Sequence, residues 1–146
     1  MSATGISAFD KTLQITNTWL SEIMSEHGPD RQLAWHILGA VLHSVRDRLP
    51  IEVSAHLSAQ LPLLVRGSFY DQFVPAKLNS CERSQGAFLE QIKQELSMSR
   101  PVNVEDAART VFRVLNHYLS PGEVVKVRHS LPADIRGLWP DPSATH

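Results

Sequence analysis

Apolar positions along this chain recur at helical intervals, and each stripe is stopped and restarted at a proline or glycine. The first runs through Phe9, Leu13, Leu20 and Ile23 with Trp19 beside them, spacings that share one face of a helix over about 8–26. His27-Gly28-Pro29 ends that helix, because Gly suits the C-terminal turn and Pro cannot continue it. Asp30 can cap the next, its carboxylate accepting from first-turn amides. The second helix, about 31–48, buries Leu38, Val41, Leu42, Val45 and Leu49, with Ala34 and Trp35 extending the face upstream. Arg31, Arg46, Asp47 and Arg48 are expected on its solvent side. Pro50 ends it and opens a third helix, about 50–61, striped by Val53, Leu57 and Leu61. Pro62 then interrupts, and the aromatic-rich segment 63–73 reads as a short helical turn followed by a loop.

Residues 74–84 (VPAKLNSCERS) carry no sustained periodicity and read as a linker. After them the order of events repeats. Trp19-Leu20-x-x-Ile23 is echoed by Phe88-Leu89-x-x-Ile92 in a fourth helix, about 85–98, which Arg100-Pro101 breaks. Asn103 caps a fifth helix that faces Ala107, Val111, Val114, Leu115 and Tyr118 inward. Ser120-Pro121-Gly122-Glu123 combines a capping Ser, Pro at the first helical position and Glu three residues past the cap. The sixth helix follows, with Val124, Val127 and Leu131 buried. No segment alternates over a strand's length.

The clearest sign of duplication is Leu-Pro-x-x-(Val/Ile)-Arg-Gly-x-aromatic, at Leu61 to Phe69 and again at Leu131 to Trp139. The expected architecture is all-α: six main helices as two pseudo-symmetric three-helix repeats packed into one bundle. A single domain is expected over 1–146, with repeat 1 at about 8–73, the linker at 74–84, repeat 2 at about 85–140 and a tail at 141–146. Half of such a chain, about 70 residues, would make a marginal core alone.

Arg-Asp-Arg-Leu-Pro at Arg46 to Pro50, followed by Ala-Gln-Leu-Pro-Leu-Leu-Val-Arg-Gly-Ser-Phe-Tyr-Asp at Ala59 to Asp71, resembles a bacterial family catalogued as domain of unknown function 2267. Leu119-Ser-Pro-Gly-Glu123 leading to Leu131-Pro-Ala-Asp-Ile-Arg-Gly-Leu-Trp139 carries the same resemblance, which spans about 9–139. It implies a small, mostly helical bacterial protein and brings no activity, substrate or catalytic residue. The family's Gly-x-Tyr-Tyr pattern has its counterpart in Gly67-Ser68-Phe69-Tyr70, which keeps the aromatic character.

Composition narrows the function classes. At 42% hydrophobic and 20% charged the 146-residue chain is globular in type, and its net charge of -1 argues against nucleic-acid binding by bulk electrostatics. The single cysteine, Cys81, cannot form an internal disulfide and suits a reducing compartment; no apolar run approaches the roughly 20 residues of a membrane span. With no secretory leader pattern at the N-terminus, the expectation is a cytoplasmic protein.

Candidate chemistry is sparse. His36 and His43 share a helix face and His43 and Asp47 are four apart, but no third metal ligand is signalled. Cys81 has an Arg neighbour but no adjacent His, and Ser68 lacks a nucleophile-elbow context. No catalytic residue, metal or cofactor is assigned. Arg66 and Arg136 occupy the same repeat position, either as anion- or partner-binding guanidiniums or as caps on the carbonyls of their own half. Phe69, Tyr70 and Phe73, with Trp139 as counterpart, would form a partner-binding patch with those arginines wherever they stay exposed.

The favoured function is a non-enzymatic interaction or regulatory module that binds a protein partner or itself, as a homodimer. The alternative is a small-molecule binder with an apolar pocket between the repeats, lined by Trp19, Trp35 and Phe112. An enzyme using His or Arg from that cleft ranks third, and DNA binding by a recognition helix last.

Overall fold

From the second helix onward, helices begin in this chain where a side chain accepts first-turn amides or where a proline pre-sets the backbone; the first, with Ile6 at its cap position, has neither. The computed structural model describes residues 3–142. It contains α1 (Ser7–His27), α2 (Arg31–Arg46), α3 (Ile51–Ala59) and α4 (Leu63–Tyr70), then a 3-10 helix (Pro75–Ser80). There follow α5 (Gln85–Glu95), α6 (Val104–Tyr118), α7 (Pro121–Ser130) and the one-turn α8 (Ala133–Arg136). No strand occurs among the described residues, so the protein is all-α. The expected tail at 141–146 lies, beyond its first two residues, outside the described residues.

The caps are those the sequence offers. Asp30 Oδ1 accepts from the amides of Gln32 (3.0 Å) and Leu33 (3.2 Å). Asn103 accepts from Asp106 at 2.9 Å and Ser120 from Glu123 at 3.3 Å. Gly28, at φ 100°, closes α1 by donating its amide to the Met24 carbonyl, a conformation that favours glycine. Pro62 opens α4 rather than interrupting α3: its fixed φ starts a helix of eight residues where a single turn was expected. Part of the expected linker is also helical, as the 3-10 segment, and α5 ends at Glu95 rather than at Met98.

α2 and α6 lie at the centre. α1 packs on α2, α4 and α6, α5 packs on α2, α6 and α8, and α3 packs on α7. Buried side chains from 19 to 139 form one cluster, including Ile37, Leu38, Leu42 and Val45 of α2 and Val111, Phe112 and Leu115 of α6. Each such side chain contributes about 1.5–3 kcal/mol on burial. Polar bonds tie the first four helices to the rest: Ser44 Oγ donates to the Phe88 carbonyl at 2.9 Å, and Gln91 donates to Asp47 at 2.8 Å. No helix is long and apolar enough to cross a membrane among the described residues.

Two expectations about faces are corrected. Arg46 and Arg48, placed on the solvent side by the helical period, are 4% and 3% exposed. α2 stops at Arg46, and the chain folds so that Arg46 Nη1 donates to the carbonyls of Phe69 and Asp71, both at 2.8 Å. Its Nε donates to Asp47 at 2.9 Å, and its guanidinium carbon stands 5.0 Å from the centre of the Phe73 ring. Phe9 and Leu13 err in the other direction, at 50% and 42% exposed. They lie on the apolar stripe of α1. The first turns of α1 lie beside the start of α4, where Thr12 is the side chain that turns inward and Phe9 and Leu13 stay in solvent.

Candidate functional site

The two Arg-Gly-x-aromatic endings make the same set of arginine hydrogen bonds, although the first lies in the eight-residue α4 and the second ends the one-turn α8. Arg66 Nε donates to the Ser58 carbonyl at 2.8 Å, and its Nη2 reaches Ala59 (3.4 Å) and Leu61 (3.2 Å). Arg136 does likewise, Nε to Arg128 at 2.8 Å and Nη2 to His129 (3.3 Å) and Leu131 (2.9 Å). In both cases the acceptors lie 8, 7 and 5 residues before the arginine. These are carbonyls at and just past the C-terminal ends of α3 and α7, where intrahelical partners run out; those of Ser58 and Arg128 also accept from the amides of Leu61 (3.1 Å) and Leu131 (3.2 Å). A fork of fixed donors suits them, and the cation also meets the negative end of the helix dipole. Both arginines are thereby committed inside the protein.

The aromatic half of the motif points into the core. Phe69 is fully buried and Trp139 is 3% exposed, where a partner would not reach them. Trp139 stacks on Phe112 at 4.3 Å between ring centres, and its Nε1 donates to Asn116 Oδ1 at 2.6 Å. Phe112 in turn stacks on Phe88. Of the aromatics in the candidate patch Tyr70, at 36% exposed, and the half-buried Phe73 border solvent, as do the half-buried Arg66 and Arg136. The Tyr70 hydroxyl shares a hydrogen bond of 2.9 Å with Ser58 Oγ. Nor do Trp19, Trp35 and Phe112 line a common pocket. Trp19 is buried against Tyr118 at 5.2 Å and Phe112 is closed in as above. Trp35 stands apart, in the wall of a surface cleft.

That cleft, about 310 Å3, gathers Trp35, His36, His43, Ser68, Asp71 and Glu95. His43 Nδ1 lies 2.9 Å from Glu95 Oε1 and Nε2 lies 2.5 Å from the Ser68 carbonyl. Both partners are acceptors, so both ring nitrogens donate and the imidazolium is the form that fits. Burial pulls the His43 pKa down, but the hydrogen bonds to Glu95 and Ser68, with the Glu95 charge, outweigh it and leave it above the usual histidine value. Carboxylate, histidine and serine thus follow one another as in a hydrolase. The ring is nevertheless spent on the serine's carbonyl rather than its hydroxyl, which activates no nucleophile. Asp47, four residues on, is bound to Arg46 and Gln91 instead. Among the described residues no three His, Cys, Asp or Glu side chains converge on a metal position.

A family model described as an uncharacterized conserved protein, DUF2267, matches residues 16–138. The chain belongs to the DUF2267 family. No curated protein matches it.

In this DUF2267 chain the features that sequence reading missed lie at helix ends. One is the open end of α1: Ile6 (49%), Phe9 and Leu13 are exposed, and the Leu64 amide donates to Thr12 Oγ1 at 3.1 Å, which sets the start of α4 beside them. Leu63 and Leu64 there are 53% and 40% exposed. The other is the turn after α2, where the buried Arg48 and the exposed Arg83 line a cleft of about 440 Å3. The helix bounds expected from the sequence, about 8–26 and about 31–48, make α1 and α2 nearly equal in length, so the open end was not legible there. The buried arginine carried no local signal.

Proposed function

We propose that this protein works without chemistry of its own, as an interaction or regulatory module that forms a homodimer through the open end of α1 and the start of α4. The observation that carries the reading is the set of neighbouring apolar side chains left in solvent there, Phe9, Leu13, Leu63 and Leu64. A group of large apolar residues on contiguous elements is what a partner surface buries. A second copy fits this surface. The net charge of -1 sets up almost no repulsion between copies, and a two-fold axis would bring the same apolar side chains of each copy together.

The same reading takes the chain as one domain made of two pseudo-symmetric repeats, about 8–73 and 85–140. Its support is the matching set of arginine bonds at the ends of α3 and α7 and the echo of Trp19, Leu20 and Ile23 in Phe88, Leu89 and Ile92.

Sedimentation equilibrium tests the dimer. The wild-type protein is expected to sediment as a dimer at micromolar concentration, and Leu13→Glu combined with Leu63→Glu as a monomer with an unchanged melting temperature. Both positions are exposed, so the fold should tolerate the charges. A wild-type monomer under these conditions would rule the reading out.

A further inference from the structure

Arg48 is buried without an acid. It is 3% exposed, yet no carboxylate pairs with it among the described residues. Its Nε donates to the Glu82 carbonyl at 2.9 Å. Its Nη1 donates to the carbonyl and hydroxyl of Ser44 (3.0 and 3.1 Å) and to Gln91 Oε1 at 2.7 Å. Every one of these acceptors is neutral. Nη2 donates to no described group and is not among the polar atoms sealed from solvent. Burial lowers the pKa of this guanidinium, and the charge of Arg83 lowers it further, against the opposing pull of Cys81, Asp47 and Glu82. A buried cation whose direct acceptors are all neutral is costly, and the cost falls when an anion arrives.

Arg48 borders a recess, the cleft of about 440 Å3 that it lines with Leu49, Pro50, Ile51, Pro75, Leu78 and Arg83. Arg83 Nη1 donates to the Arg48 carbonyl at 3.3 Å, which holds the second guanidinium against the Arg48 backbone at the edge of the same cleft. The start of α3 forms another part of the wall. Its N-cap is Pro50, which offers no side-chain acceptor, so the opening amides of this nine-residue helix keep their hydrogen-bonding capacity and the positive end of the dipole. Glu52 is the acidic residue of that first turn, and it is exposed.

We propose that this cleft binds a phosphate monoester with a small apolar body, held by Arg48 Nη2, the Arg83 guanidinium and the opening amides of α3. Two guanidiniums and a helix N-terminus balance a dianion better than a single carboxylate, and both forks suit phosphate oxygens. Leu49, Ile51, Pro75 and Leu78 supply the surface for the apolar part. This site is separate from the α1–α4 surface and does not depend on it.

Isothermal titration with phenyl phosphate, inorganic phosphate and benzoate tests the assignment on the full chain. Phenyl phosphate is expected to bind saturably, at least about tenfold tighter than either of the others. Arg48→Ala risks unfolding the protein, so the variant of choice is Arg83→Gln, whose side chain is exposed. It should weaken phenyl phosphate at least about tenfold and leave the melting temperature of the free protein unchanged, while Arg83→Lys recovers part of the affinity. Absence of saturable binding, equal affinity for benzoate, or binding that Arg83→Gln leaves intact would each overturn the proposal.

Discussion

Arginine side chains terminate helices in this protein, a task more often left to glycine or solvent. Arg66 and Arg136 each cover the last carbonyls of the helix before their own, and Arg46 covers the end of α4 through Phe69 and Asp71. Urea denaturation should show Arg66→Ala and Arg136→Ala each losing about 1–3 kcal/mol, the range for a charge-assisted bond whose acceptors are left partly buried. Lysine at either position should recover little, because a single ammonium cannot reproduce the fork. Arg46→Ala should cost more, on the order of 3 kcal/mol, since it strands buried carbonyls and opens space over Phe73. A cost below that of the Arg66 variant would mean that solvent replaces Arg46. Capping roles for Arg66 and Arg136 were readable as one of two alternatives, beside partner binding, because an arginine followed by glycine after a helix is a local arrangement and it occurs twice. Those of Arg46 and Arg48 were not. Their acceptors at Phe69, Asp71 and Glu82 lie 23, 25 and 34 residues away, and a helical period reports only that both residues fall off the apolar stripe.

Between elements, the sequence was clear wherever one residue marks a boundary. The caps at Asp30, Asn103 and Ser120 form as their chemistry requires. Leu42, mid-stripe on α2, is fully buried, and Leu42→Ala should lose about 2–5 kcal/mol through the cavity it leaves. Proline was the ambiguous mark, since the same residue ends one helix or opens another, and at Pro62 it opens α4. The His43 bonds that join α2, α4 and α5 were equally hidden, because Glu95 and Ser68 approach the ring only after the helices pack. They predict a pH dependence of definite sign. The folded pKa of His43 lies above the unfolded value of about 6.5, so the protein gains stability from the protonated ring. That gain is complete below about pH 6.5 and is lost as pH rises through the folded pKa. Urea midpoints should therefore fall between pH 6 and pH 8 in the wild type, and fall less in His43→Gln. Identical pH profiles for the two proteins would show that the ring carries no excess proton in the fold.

For the molecule as a whole, the question is whether the two halves are independent. Each contributes aromatics that the other covers: Phe88 lies under the bonds that Ser44 and Arg48 send to α5, and the Cζ of Arg48 stands 5.8 Å from the centre of its ring. Gln60 and Ser120 exchange hydrogen bonds across the α3–α7 contact, at 3.0 and 3.2 Å. A repeat separated at 73 would expose much of this surface, which sequence periodicity can mark as apolar but cannot assign to a partner helix. The three tryptophans report on the matter separately, since Trp19 and Trp35 belong to the first half and Trp139 to the second. One variant should retain only Trp19 and another only Trp139, with phenylalanine at the remaining positions. Both will be less stable than the wild type, so each is compared with itself, its fluorescence against its own far-ultraviolet circular dichroism during urea unfolding. If the core is shared, the two signals coincide in both variants, as a cooperative transition requires. A Trp139 signal that moves before the helical signal would mean that the second half unfolds alone, and the chain would then be two small units held side by side rather than one.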